Sequence, residues 1–238
     1  MLIFALDTSS PGGSVAVLRG QRVIGAVSTW TDEIYSSRMF RHVEFLLREL
    51  SLSLDQFDLF AVTAGPGSFT GLRVGLATVK AWAEVYNKPI AAINVLEAIA
   101  AQSHTSPAKV LVSVLDARRG QVYFAFYRKQ DALLLDVKGD ANVMTPEEFL
   151  EAVDARAGTE EFAIVTSTPA AISSALARFT AVRDPNRQII VEQVSSVLAP
   201  VVGQLGYFRA QRGSLTDALS LDASYVRRTD AELHWKQP

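Results

Sequence analysis

Residues 6–18 read LDTSSPGGSVAVL, and residues 115–127 read LDARRGQVYFAFY. Each stretch begins at the end of an apolar run, Ile3-Phe4-Ala5-Leu6 in the first and Val110-Leu111-Val112-Ser113-Val114-Leu115 in the second. An aspartate closes each run, a polar turn follows, and a further β-inclined run comes next. In the first copy a tight turn at 19–21 and a third strand, Val23 to Thr29, complete an antiparallel meander. A meander-then-helix unit that occurs twice in one chain predicts two related halves. Ser103, Ser106 and Pro107 mark the seam, which gives halves of 1–105 and 106–238.

Outward from the first copy, Tyr35 to Leu50 carries helical periodicity, with Met39, Val43, Leu46 and Leu50 on one face and Phe40 and Phe45 off it. Residues 60–93 then read FAVTAGPGSFTGLRVGLATVKAWAEVYNKPIAAI. This is a short buried strand from Phe60 to Thr63, a glycine loop, and a helix from Thr70 to Tyr86 capped by Ser68 or Thr70. Asn87, Lys88 and Pro89 stop the helix, and Pro89 to Ile93 begin another strand. On the helix, Arg73, Lys80 and Glu84 share a narrow stripe, with Gly71, Gly75, Thr78 and Trp82 opposite. The glycines are expected to face the interior of their own domain. Leu72, Leu76, Val79 and Ala83 form one apolar flank; Val74, Ala81 and Val85 form the other. A helix apolar over most of its circumference is either enclosed by its own domain or meets a second chain along one flank.

The second half is expected to hold a helix at Pro146 to Val153 capped by Thr145 and a strand at Phe162 to Thr166. A helix at Pro169 to Phe179 and a strand at Gln188 to Val191 follow, then helix from Glu192 to Arg212, broken near Pro200.

The 238 residues are 49% hydrophobic and 20% charged, ordinary for a globular chain that buries its own core. Absence of cysteine excludes thiol catalysis, cysteine-bound zinc and disulfides. A formal charge of −2 supplies no broad basic field for RNA or anionic membrane. No apolar run approaches the roughly 18 residues of a membrane span, and Asp7 comes too early for a secretory leader. A cytoplasmic location is the expectation.

Asp7, Thr8, Ser9 and Ser10 make a hydroxyl-rich turn at a strand end, a pattern able to hold phosphate oxygens or a magnesium-bound water. The same residues equally suit local satisfaction of turn amides. Paired with Asp116, they resemble the actin-like superfamily of sugar kinases, actin and heat-shock chaperones, where two such turns face each other across a nucleotide cleft. Against a working site, residues 165–170 (VTSTPA) carry no glycine pair for adenosine, and Arg118 and Arg119 stand where small residues are common. Residues 65–71 lack the Gly-Lys-Ser/Thr of a P-loop. His42, His104 and His234 form no metal-binding pair, and no Gly-x-Ser-x-Gly elbow occurs.

Residues 64–75, AGPGSFTGLRVG, resemble the signature of TsaB, a subunit of bacterial tRNA threonylcarbamoyladenosine synthesis. Leu6-Asp7-Thr8-Ser9, residues 116–123 (DARRGQVY) and Tyr225-Val226-Arg227-Arg228 extend the match along the chain. The resemblance implies an α/β, actin-like (ribonuclease H-like) duplicated fold with two β-meander/helix halves. It implies a non-catalytic relative of the catalytic subunit TsaD, which it binds and activates, with the ATPase TsaE joining them. The complex modifies the adenosine beside the anticodon of tRNAs reading ANN codons. This chain would then hold no cofactor of its own, with ATP and metal on partner subunits. It would pair with itself when alone and meet tRNA through the complex only. The expected partner surface comprises Tyr35, Arg38, Met39 and His42 on the first helix, and Leu72, Val74, Leu76, Val79, Ala81 and Ala83 on the second. The chain departs from the family at residues 35–38 (YSSR), where a histidine near the helix start is usual. The competing reading is an actin-like ATPase or small-molecule kinase using Asp7 and Asp116. Direct RNA binding would need more than Tyr225, Arg227 and Arg228.

Overall fold

The computed structural model describes residues 1–238 except 32, 34, 105–109, 131–132, 134, 158–160, 182–188, 225 and 227–238, and of residue 36 the backbone alone. Ser106 and Pro107 of the seam, and Tyr225, Arg227 and Arg228 of the tail, lie outside the described residues.

The two quoted stretches lie at equivalent places in two sheets. In the first sheet β1 (Leu2–Asp7), β2 (Ser14–Arg19) and β3 (Arg22–Val27) form the antiparallel meander, and Asp7 lies opposite Ser14. β4 (Leu59–Gly65) and β5 (Ile90–Asn94) add on parallel, giving the order β3-β2-β1-β4-β5. In the second sheet β6 (Val110–Arg118), β7 (Gln121–Lys129) and β8 (Leu135–Val137) repeat the meander. β9 (Asn142–Met144) pairs with β7, while β10 (Phe162–Thr166) and β11 (Ile190–Gln193) are parallel additions. The order β11-β10-β6-β7-β8 is the first sheet's order read from the other edge. β1, β4, β6 and β10 are buried on both faces over most of their length, which is why they read as unbroken apolar runs.

Helices cover both faces of the first sheet. α1 (Tyr35–Leu50) and α2 (Phe69–Tyr86) lie on the outer face, against Phe4, Leu6, Val15, Val17, Phe60 and Val62. α3 (Val95–Ala101) and α6 (Ala199–Gln211) lie on the inner face, between the two sheets. α4 (Pro146–Ala157) and α5 (Ser173–Ala181) pack on the second sheet around Phe124, Phe149 and Ile164.

The helix boundaries follow local chemistry. Ser68 caps α2, its hydroxyl accepting from the Gly71 amide at 3.3 Å, and Asn94 caps α3. Thr145 and Glu148 form a reciprocal capping box ahead of α4. Two expectations change. The helix expected from Glu192 begins only at Ala199, because Glu192 pairs with Val165 in the sheet and its carboxylate accepts from the Ser103 hydroxyl and the His104 amide. Pro200 therefore sits in the first turn of α6, where its missing N–H is harmless, rather than interrupting a longer helix. The helix expected at Pro169 is a short 3-10 turn to Ala171, and α5 starts at Ser173. The short edge strands β8 and β9 are too brief to show periodicity in the sequence.

Candidate functional site

The ends of β1 and β6 lie on either side of a cleft of about 480 Å³ between the halves. Ser9, Ser10, Gly67, Ser68 and Trp30 line one wall; Asp116, Arg118, Ser167 and Thr168 line the other. The cleft thus gathers Ser9, Ser10 and Asp116 from the sequence candidates. Asp7 and Thr8 are buried behind it.

Asp7 has no exposed surface. Its Oδ1 accepts from the Ser9 amide at 2.9 Å, the Ser9 hydroxyl at 2.6 Å and the Thr63 hydroxyl at 2.9 Å, while Oδ2 has no partner. Burial pushes its carboxyl above the ordinary range, and the bonds from Ser9 and Thr63 only partly oppose this. α2 closes over the turn from outside. A Cβ on Gly71 would stand 2.0 Å from the Thr8 carbonyl oxygen, and one on Gly75 would stand 2.2 Å from the Thr8 hydroxyl. Only glycine permits that approach, as their place opposite the charged stripe suggested. Ser68 N donates to the Ser9 carbonyl at 2.7 Å and completes the lock. Asp7 therefore fixes its own turn, and its carboxylate lies behind the wall of the cleft. Thr63 helps hold it, and nothing in the sequence marks this role, because a β-branched residue in a strand looks structural.

The second turn is built differently. Arg118, Arg119 and Gly120 all take positive φ, so β6 and β7 join through a tight hairpin rather than an open loop. Asp116 Oδ1 accepts from the Arg118 amide at 2.7 Å, and Oδ2 stands 3.6 Å from the Arg118 guanidinium. Its own amide donates to the Thr168 hydroxyl at 3.1 Å. Among the described residues no group of three or more acidic, histidine or cysteine side chains is placed to hold a metal.

Eight of the ten expected partner-surface residues require correction. Tyr35, Arg38, Met39 and His42 are buried under α1, and Leu72, Leu76, Val79 and Ala83 are buried under α2. They are the inward-facing stripes of their helices and keep at most 9% of their surface exposed. Arg38 is held inside by carbonyls, its Nη1 donating to Glu33 O at 2.8 Å and its Nη2 to Pro11 O at 2.6 Å. His42 Nε2 lies 3.0 Å from the Thr29 hydroxyl, and burial, then Arg38 and Arg41, lowers its pKa. Val74 is half-buried and Ala81 exposed. The outer surface of α2 instead presents Ala77, Ala81 and Val85, the last 73% exposed, beside Arg73 and Glu84. α1 exposes Phe40 (55%) and Phe45 (47%), the two aromatics that fell off its apolar stripe.

Two meander-based sheets with a cleft between their leading strand ends define an actin-like protein. A ROK hexokinase from Thermus thermophilus superposes with a TM-score of 0.50 at 10% identity, over 90% of this chain and 100% of that one. A Pseudomonas aeruginosa structure, described as an uncharacterized protein with similarity to peptidase YeaZ, superposes with a TM-score of 0.75 at 24% identity over 95% and 99%. The family model "TsaD: tRNA N6-adenosine threonylcarbamoyltransferase" matches residues 21–180. The chain belongs to this family, within which it is of the TsaB type. The Bacillus subtilis "tRNA threonylcarbamoyladenosine biosynthesis protein TsaB" is 35% identical over 144 residues, which are 60% of this chain and 62% of the relative. The chain thus spans about six tenths of that relative's length.

Proposed function

We propose that this chain serves tRNA threonylcarbamoyladenosine synthesis as a non-catalytic subunit that binds and activates a TsaD-type catalytic subunit. The target is the adenosine beside the anticodon of tRNAs reading ANN codons. The observation that carries this reading is the outer face of α2. Ala77, Ala81 and Val85 recur every fourth residue, so they share one exposed stripe of small side chains onto which another helix can pack closely. A TsaE-type ATPase completes the assembly, and ATP and metal reside on the partners. The half spanning 1–105 carries the partner face, and the half spanning 106–238 supports it. Without partners the same stripe pairs two copies of this chain. tRNA is met through the assembled complex, and the location is the cytoplasm. Among the described residues no helix is long and apolar enough to cross a membrane.

The kinase or ATPase alternative would need Asp7 to reach a metal-bound water, and its complete burial opposes that. The decisive experiment mixes the chain with TsaD-type and TsaE-type partners and follows co-elution and tRNA modification. Wild type is expected to support both, and Ala81→Arg neither. Full modification by the Ala81→Arg complex would remove α2 as the docking face. Steady ATP turnover by the chain alone, lost in a Thr8→Ala and Ser9→Ala double variant, would overturn the non-catalytic assignment.

A further inference from the structure

The cleft is open although the Asp7 turn beside it is locked, and its chemistry differs from that of a phosphate site. A phosphate turn offers free backbone amides. Here the amides of Ser9, Ser68, Asp116, Arg118 and Thr168 are all donated within the protein, to Asp7, to the Ser9 carbonyl, to Thr168, to Asp116 and to Thr166. Among the described lining residues only Asp116 and Arg118 carry charge, and they face each other. A triphosphate would enter a space with no net positive charge and one carboxylate.

What the cleft offers is neutral. Ser10 Oγ accepts from the Gly13 amide at 3.3 Å and Ser68 Oγ from the Gly71 amide at 3.3 Å, so each hydroxyl keeps its own proton to donate outward. Thr168 Oγ1 accepts from the Asp116 amide and lies 3.5 Å from the Thr166 hydroxyl, and Ser167 and Ser196 add further hydroxyls. On the rim Trp30 is 65% exposed, its indole lying against Gly12, where a Cβ would stand 2.8 Å from the ring. An exposed indole is a stacking platform, and seated hydroxyls suit the ring nitrogens, carbonyls and ribose oxygens of an uncharged planar ligand. The volume, about 480 Å³, falls within the roughly 300–1,000 Å³ usual for small-ligand sites.

We propose that the cleft between the halves binds an uncharged nucleoside, its base stacked on Trp30 and its polar edge met by the hydroxyls of Ser10, Ser68 and Thr168, and that it disfavours the phosphorylated forms. This is independent of the α2 docking face.

Calorimetric titration of the full chain with the four common ribonucleosides, and with magnesium ATP, tests it. At least one nucleoside should saturate the chain, and should bind more tightly than ATP. Trp30→Ala should weaken that binding by about tenfold or more, the scale of one lost stack, without lowering the melting temperature. Ser10→Ala should weaken it also. Failure of all four nucleosides to saturate, tighter binding of ATP, or unchanged affinity in Trp30→Ala would each overturn the proposal.

Discussion

At the scale of single residues the question is what Asp7 does behind the wall of the cleft. Its buried carboxyl is held above its ordinary value of 3.8, so the fold favours the protonated form. That contribution is fully present below the unfolded value and is lost as pH rises through the folded one. Asp7→Asn keeps the acceptor oxygen for Ser9 and Thr63 and removes the charge. The variant should melt at or above wild type at neutral pH, and the two curves should converge as pH falls towards 4; a variant that unfolds at neutral pH refutes this. Complete loss of tRNA modification in a folded Asp7→Asn complex would instead restore a functional carboxylate. Thr8 and Gly75 form a second residue-scale test. Gly75→Ala gains up to about 1 kcal/mol of helix propensity, yet drives a methyl into the Thr8 hydroxyl. Overpacking of this kind commonly destabilises by about 1–3 kcal/mol. Thr8→Ala removes the struck hydroxyl and methyl, so the double variant should regain part of the loss, visible as a non-additive cycle in chemical denaturation. Additive losses would mean that the contact is not the cause.

At the scale of elements, α2 shows what the sequence could and could not tell. Its end at Tyr86 and the inward direction of Gly71 and Gly75 are legible because periodicity is local; the cap narrows to Ser68 or Thr70, and the structure selects Ser68 with the helix starting at Phe69. Trp82 opposite the charged stripe also lies inside, 5.4 Å from the Phe4 ring and 5.8 Å from that of Phe60. Which apolar flank meets the sheet was not legible, since Leu76 and Ala81 flank it symmetrically and only tertiary packing separates them. The structure buries Leu76 and exposes Ala81. The same gap explains why core stripes of both helices were expected at a partner surface: apolar character marks burial without saying in which interface. Leu76→Arg should therefore place an unpaired guanidinium in the core, a cost of several kcal/mol against a total stability of roughly 5–15 kcal/mol, and abolish cooperative melting. Ala81→Arg should melt within a degree or so of wild type while losing association with the catalytic partner. Equal melting of the two variants would refute the assignment of flanks.

At the scale of the whole molecule, the sequence repeat and the three-dimensional packing divide the chain differently. The repeated meanders, each with a Leu-Asp in its first strand, revealed two related sheets; Asp7 ends β1, whereas β6 runs two residues beyond Asp116. The repeat said nothing of α6, which follows the second sheet in the chain yet lies on the inner face of the first. Gly203 meets Leu18 of β2 so closely that a Cβ would stand 2.1 Å from its Cδ1, and Gly206 meets Ala61 and Ala91 of β4 and β5. Ser14 of β2 also accepts from the Ala199 amide at 3.0 Å. Periodicity could not forecast this, because a helix apolar on most sides carries no marker of its partner. The consequence is that the first sheet depends on a helix supplied from beyond the second sheet. Removal of α6 would uncover Ile3, Ala16, Leu18 and Ala61 and would forfeit the burial of the helix's own Val201, Val202 and Leu205. At about 1.5–3 kcal/mol for each large apolar side chain, the three helix residues alone amount to roughly 5–9 kcal/mol, comparable with the stability of an entire domain. A chain ending at residue 198 should therefore show no cooperative thermal transition, and residues 1–105 alone should fare no better despite retaining the whole first sheet with α1, α2 and α3. Gly203→Val in the full chain should destabilise strongly with every element still present, because the clash falls on Leu18 in the interior of β2. Cooperative melting of the 1–198 fragment near the wild-type temperature would show that the first sheet holds without α6, which then only rests on it.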